Sequence, residues 1–185
     1  MPPIHEKELL AGFDPADADT FAPLVLAYQN MLIAFAGRML GGSRADAEDV
    51  AQEAFLRAFR HLQKRPKDTW EDLRLTPWLY KITLNLCRDR AKEALARGGS
   101  SVPVETLASQ ASDSFDPGLV MAIESAMRRL PPLYHAPVVM RHVDQLAYHE
   151  IAAALDVPLG TAKARVHRGT RLLRELLTPL LEEDA

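Results

Sequence analysis

Residues 146–177 read LAYHEIAAALDVPLGTAKARVHRGTRLLRELL, and this stretch decides the fold. Ile151, Ala152 and Leu155 form an apolar face at helical spacing. Asp156 and Val157 interrupt the pattern, and Pro158 stands where a new helix would open. A second helix is predicted from about Leu159 to Leu177, with Val166, Leu172, Leu173 and Leu176 on its buried side and Thr178-Pro179 at its end. Between Thr161 and Arg174 that helix carries Lys163, Arg165, His167, Arg168, Arg171 and Arg174 and no acid. Two short helices joined by a tight turn, the second basic and opened by small residues, suit a helix-turn-helix. A helix about 10–12 Å wide enters the major groove of B-DNA. Its first turn offers side chains and backbone N–H groups to bases and phosphates. Thr161, Lys163, Ala164 and His167 are candidates for base contacts, and Arg165, Arg168 and Arg171 for phosphate contacts. The same composition also fits a solvated basic face with no ligand.

Upstream of this pair, VMAIESAMRRL (120–130) reads as an amphipathic helix ended by Pro131-Pro132. YHAPVVMRHV (134–143) follows, with Pro137 in its first turn or kinking it. Before these, residues 97–117, RGGSSVPVETLASQASDSFDP, are rich in Gly, Ser and Pro and have no sustained apolar period, which reads as a linker. Residues from about 20 to 96 again read as successive helices. The first, Leu24 to Leu40, stops at Gly41-Gly42. Ser43, three residues before Asp46, signals the next start, and Val50, Ala54, Ala58 and Leu62 repeat at i+4 as its core stripe. Asp49, Gln52 and Glu53 fall off that stripe, with Phe55 beside them. A charged loop, KRPKDTWEDLRLT (64–76), leads to a third helix opened by Pro77. No alternating strand pattern longer than a few residues occurs. The predicted class is all-α: two small helical domains, 20–96 and 118–181, on a flexible linker, the second holding the helix-turn-helix.

Composition bounds the function. Hydrophobic residues make up 48% and charged residues 25% of 185, values of an ordinary globular chain rather than a disordered one. The net charge of −3 excludes a uniformly basic nucleic-acid coat but not a local basic patch. One cysteine, Cys87, excludes an intrachain disulfide and a Cys-based zinc site and fits a reducing cytoplasm. The longest uncharged stretch, Phe21 to Gly37, holds Pro23, Gln29 and Asn30 and is short and polar for a membrane span, so no membrane insertion is expected. The N-terminus MPPIHEKELL has acids and no apolar core, unlike a secretory signal.

The stretch from Leu130 to Leu177 resembles region four of the sigma-70 family of transcription initiation factors. DAEDVAQEAFLRAFRHL (46–62) resembles the helix of region two that docks on RNA polymerase, and PWLYKITLNLCRDR (77–90) the adjoining helix that melts and reads the −10 element. Two such regions, with neither a third domain between them nor an inhibitory domain before them, are similar to the extracytoplasmic-function (ECF) group. The resemblance implies roles. Asp49, Gln52, Glu53 and Phe55 would meet the β′ clamp helices of core RNA polymerase, with the β subunit as a further partner. Trp78, Tyr80, Asn85, Arg88 and Arg90 would serve −10 melting and readout, and the Lys64–Thr76 loop would hold a flipped base, with Trp70 lining the pocket. Thr161, Lys163, Ala164, Arg165, His167, Arg168 and Arg171 would serve the −35 element. The implied partners are core polymerase, promoter DNA and an anti-sigma factor. The chain departs from the family pattern at Ala147, a usual Ser or Thr cap, at Ala162 and Ala164, which replace Val and Ser, and at the less basic Arg90–Glu93.

Other signals are weaker. His135, His142 and His149 recur every seven residues, but no Cys or paired carboxylate completes a metal site. Cys87 beside Leu86 reads as a buried, inert thiol. No phosphate loop, nucleophile elbow or triad pattern supports an enzyme, and no cofactor is implied. Two other readings remain at this stage: a DNA-binding regulator independent of polymerase, and an enzyme or adaptor with a fortuitous basic helix.

Overall fold

The computed structural model describes residues 5–41, 44–70, 72–96 and 117–182. The chain divides into two compact units, Met1–Val104 and Glu105–Ala185. Among the described residues all regular structure is helical, apart from a lone bridge between Asp14 and Asp17. The segment expected as a linker, 97–117, lies outside the described residues except for Pro117, as does the start signal at Ser43.

In the first unit, α2 (Ala22–Leu40), α3 (Arg44–Gln63) and α4 (Leu75–Ala96) pack against one another. Their shared core follows from helical spacing: Leu24, Tyr28, Leu32 and Phe35 line one face of α2, and Val50, Ala54, Ala58 and Leu62 one face of α3, all buried. Alanines at 36, 47 and 54 let the helices approach closely over Leu86 and Cys87 of α4. The stretch from Ala18 to Leu40 is long and apolar enough to cross a membrane, but Phe21, Leu24, Tyr28, Leu32 and Phe35 on its inner face are buried within the unit. Gly41, at φ 57°, ends α2 in the left-handed conformation that glycine adopts without strain.

A short helix before residue 20, α1 (Glu6–Gly12), is absent from the sequence expectation. Seven residues are too few for a readable apolar period, and tertiary contacts hold it. Phe13 beyond it is buried in an aromatic cluster: its ring centroid lies 5.4 Å from that of Phe21, 5.8 Å from Phe59 and 5.4 Å from Trp70. The helix expected to open at Pro77 begins two residues earlier, at Leu75.

In the second unit, α8 (Leu159–Glu182) packs on α5 (Pro117–Arg129), α6 (Pro132–His142) and α7 (Tyr148–Leu155). Pro132 opens α6, and Pro137 lies inside it, fully in the core with Val138, Val139 and Met140. The turn between α7 and α8 closes through Asp156, at φ 56°, with Val157 N–H donating to Ala152 O at 3.0 Å. Asp is one of the few side chains that accept this left-handed position. The expected end of α8 at Thr178-Pro179 is corrected: the helix runs to Glu182. Pro179 forfeits one backbone bond without terminating it, and Thr178 Oγ1 donates back to Arg174 O at 3.0 Å.

Ala147 caps α7 without a side-chain acceptor, and only half of a capping box forms: Glu150 Oε2 accepts from Ala147 N–H at 2.7 Å. Ala147→Ser supplies the missing acceptor for a first-turn N–H. It is expected to raise the stability of the second unit by about 1 kcal/mol, read as a higher denaturant midpoint at constant slope. An unchanged midpoint would show that the hydroxyl fails to reach the helix.

Candidate nucleic-acid interface

The basic helix presents its charges outward. Lys163, Ala164, His167, Arg168 and Arg171 are exposed and Thr161 and Arg165 half-buried, while Ala162, Val166 and Gly169 face the core. Small residues on the inner side seat the helix deep in the unit, so its outer side stands clear. At its start, Ala162 N–H donates to Pro158 O at 3.0 Å, leaving the N–H groups of Leu159, Gly160 and Thr161 aligned at the positive helix end. Glycine at 160 leaves open space beside them. This end offers donors and positive charge to a phosphate.

Two residues of this surface escaped the sequence reading. Tyr148, at the first position of α7, is a hub: the Arg141 guanidinium carbon lies 4.8 Å from its ring centre, Lys163 Nζ lies 5.9 Å away, and the His167 ring stacks at 6.2 Å. The signal was the alternation of basic and aromatic residues across two helices, invisible until the turn brings them together. Arg141 also donates to Leu146 O at 3.0 Å, fixing the segment that leads into α7. His142 Nε2 lies 2.9 Å from Thr170 Oγ1, and because that hydroxyl donates to Val166 O at 2.9 Å, the imidazole is the donor. Burial, then Arg141, Arg174 and His167, holds the His142 pKa below its ordinary value. Burial alone lowers that of His135. Among the described residues no group of three His, Cys, Asp or Glu side chains converges on a metal position.

In the first unit the candidate residues sort into two surfaces and a core. Along α4, Trp78, Lys81, Asn85 and Arg88 follow one face; Asn85 and Arg88 are exposed and Trp78 half-buried, with its ring 5.1 Å from that of His61. Burial and then the Arg65 charge lower the His61 pKa, and its ring is tilted 50° to that of Trp78. Tyr80 points the other way: it is fully buried, 4.8 Å from Phe35 between ring centres, and belongs to the core rather than to a DNA platform. Trp70 is likewise 4% exposed, an anchor beneath the Lys64–Thr76 loop rather than a pocket wall. A groove between α3 and α4 is lined by Asp49, Gln52, Glu53 and Leu56 on one side and Leu86 and Arg90 on the other. Phe55 is not on it, because the apolar stripe of α3 is wide enough to take Phe55 inward beside Ala51. Leu56, half exposed, is the α3 side chain that gives the groove apolar surface instead. Arg90 turns towards α3 instead of following Arg88, 3.9 Å from Asp49 Oδ2 and 4.0 Å from Asp46 Oδ1. Arg57 pairs with Glu53 at 2.9 Å. The groove is acidic on α3, mixed on α4 and apolar at its floor, a shape that takes a helical partner with basic and apolar residues.

Comparison with known proteins assigns each half of the chain to a family region. A family model for sigma-70 region 2 matches residues 24–96, and one for sigma-70, region 4 matches residues 120–173. The chain is 35% identical over 179 residues to the ECF RNA polymerase sigma factor SigE of Mycolicibacterium smegmatis, covering 93% of this chain and 67% of the relative. It is 32% identical over 190 residues to the ECF RNA polymerase sigma factor SigW of Bacillus subtilis, covering 94% and 97%. Its fold is similar to that of CnrH, solved in complex with the cytosolic domain of CnrY, at a TM-score of 0.64 and 22% identity, covering 97% of this chain and 99% of that one. The sigma factor RpoE of Bartonella quintana, solved with the anti-sigma factor NepR, aligns with a TM-score of 0.67 at 23% identity over 85% of this chain and 96% of that one.

Proposed function

The chain belongs to the ECF group of sigma-70 family RNA polymerase sigma factors, and from that premise we propose how its surfaces divide the work of directing core polymerase to promoters and initiating transcription. Residues 20–96 act as region two, 97–117 as the tether and 118–181 as region four. The groove carrying Asp49, Gln52 and Glu53, with Leu56 in place of Phe55, receives the β′ clamp helices. The outer face of α8, with Tyr148 and Arg141 beside it, enters the −35 major groove. Asn85 and Arg88 on α4, with Trp78 at their edge, take unpaired −10 bases and the phosphates between them. Melting needs no nucleotide hydrolysis by this chain, because preferential binding to the open form shifts the equilibrium. The chain works in the cytoplasm beside the polymerase. An anti-sigma factor, by analogy with the partnered relatives, covers these faces in the inactive state.

The observation that carries this reading is the pairing, in one chain, of an acidic groove on α3 with a basic helix that closes a helix-turn-helix and has no acid from Leu159 to Arg174. Run-off transcription with purified core polymerase on a promoter library tests it: adding the chain yields new start sites. Asp49→Arg with Gln52→Ala abolishes them by blocking core binding, measured directly by affinity to core. A chain that binds DNA sequence-specifically but produces no new starts is a regulator, and the reading fails.

A further inference from the structure

The N-terminal segment, residues 5–21, is tied to the Lys64–Thr76 loop at three places. At the loop's start, Gln63 Nε2 donates to Pro15 O at 3.3 Å. In its middle, the Trp70 ring packs 5.4 Å from that of Phe13, both buried. At its end, Glu6 caps α4. Its Oε2 accepts from Leu75 N–H at 3.0 Å, and its Oε1 accepts from Thr76 N–H at 2.9 Å and Thr76 Oγ1 at 2.6 Å. Tyr28 Oη donates to the same Oε1 at 3.1 Å. The first turn of α4 has four N–H positions that no helical carbonyl serves. Glu6 takes those of Leu75 and Thr76, Pro77 has no N–H to satisfy, and Trp78 N–H makes the first bond of the helical ladder, to Arg74 O at 3.3 Å. A carboxylate from the far end of the unit therefore completes the start of the helix that carries Trp78, Asn85 and Arg88, and its charge offsets the positive helix end, which has no acid of its own in that turn. The segment is itself stiff: Thr20 Oγ1 accepts from Asp14 N–H at 2.8 Å, and the Asp14 and Asp17 carboxylates accept from Ala16 and Asp19 N–H.

We propose that this strap positions the −10 reading surface, with Glu6 and Phe13 as positioning residues that touch neither polymerase nor DNA. The loop is exposed from Lys64 to Thr69 and its own bonds are local, such as Thr69 Oγ1 donating to Pro66 O at 2.7 Å; the strap ties it to the rest of the unit at both ends and the middle. The proposal rests on the region-two reading given above and adds a determinant of selectivity to it.

The test uses the full chain with core polymerase and a promoter library randomised at the −10 element. Glu6→Ala and Phe13→Leu lower the preference for the best −10 sequences over the library median by about fivefold to tenfold, the scale of a lost cap. Affinity for core polymerase stays unchanged. Glu6→Gln keeps the Oε1 acceptor and restores part of the selectivity, which a purely structural role would not distinguish by sequence preference. Circular dichroism verifies folding, and should Glu6→Ala fail to fold, Glu6→Gln and Phe13→Leu carry the comparison. Wild-type selectivity in folded variants overturns the proposal, and so do matched losses in core affinity and selectivity, which mark a plain stabiliser. A wild-type chain with no −10 preference sinks the region-two reading and this inference together.

Discussion

Replacing Arg165 and Arg168 with glutamate is expected to abolish transcription from promoters that depend on a −35 element and to weaken DNA binding by about a hundredfold or more at physiological salt. Each replacement turns a cation into an anion on a helix that has no acid between Leu159 and Arg174. The dependence of affinity on salt is expected to flatten by about two counterions, because two phosphate contacts are lost. Core binding, which uses the groove between α3 and α4, is left intact. A double variant that still initiates at −35 promoters would show that the outer face of α8 is a solvated surface. Lys163 is a contrasting site: it sits near the Tyr148 ring, so Lys163→Ala removes a packing contact as well as a charge.

Gly169→Leu is expected to unfold the second unit, and Gly169→Ala to cost about 1–2 kcal/mol. A Cβ at this position meets Val138 Cγ2 at 2.5 Å and Tyr134 Cβ at 3.0 Å. Neither neighbour can move cheaply, since Val138 is a short branched side chain in the core and Tyr134 Cβ is fixed to the backbone of α6. Alanine in mid-helix gains about 1 kcal/mol over glycine, which offsets part of the overpacking. Val138→Ala vacates the clashing atom, so the Gly169→Ala, Val138→Ala pair should be less destabilised than the two losses added. Thermal melting of the four chains of this cycle measures it. Additive losses would mean that the α6–α8 contact relaxes without resistance.

The contrast between Gly169 and the strap shows where sequence reading reaches. The helices of both units were legible because their apolar residues recur at the helical period, as at Val50, Ala54, Ala58 and Leu62, all of which are buried. The turn at Asp156 was legible because Pro158 follows it. What periodicity does not carry is side-chain destination across large separations. Nothing in the sequence around Glu6 marks its partners, which stand at Tyr28, Leu75 and Thr76. The resemblance implies contact roles for Phe55, Trp70 and Tyr80, and burial takes all three inward. Phe55 follows the wide stripe of α3, Trp70 meets Phe13 from a helix too short to announce itself, and Tyr80 lies on the α4 face opposite Asn85. The resemblance groups Arg90 with Arg88, but the two are half a turn apart, and the Asp46 and Asp49 carboxylates attract Arg90. Lys163, Arg168 and Asn85 are exposed, as polar side chains off the apolar stripes of their helices should be.

Cys87 is buried where α2, α3 and α4 meet, and burial pushes its thiol up to about 12 despite the nearby Arg90. At neutral pH almost none of it is thiolate, the form that attacks maleimides, peroxides and disulfides. While folded, the chain therefore behaves towards such reagents as though it held no cysteine. A fluorophore attached through a cysteine engineered at an open position such as Lys92 would report from that position alone, with no need to remove the native sulfur. For the same reason an oxidant reaching the folded chain finds no exposed thiol to switch.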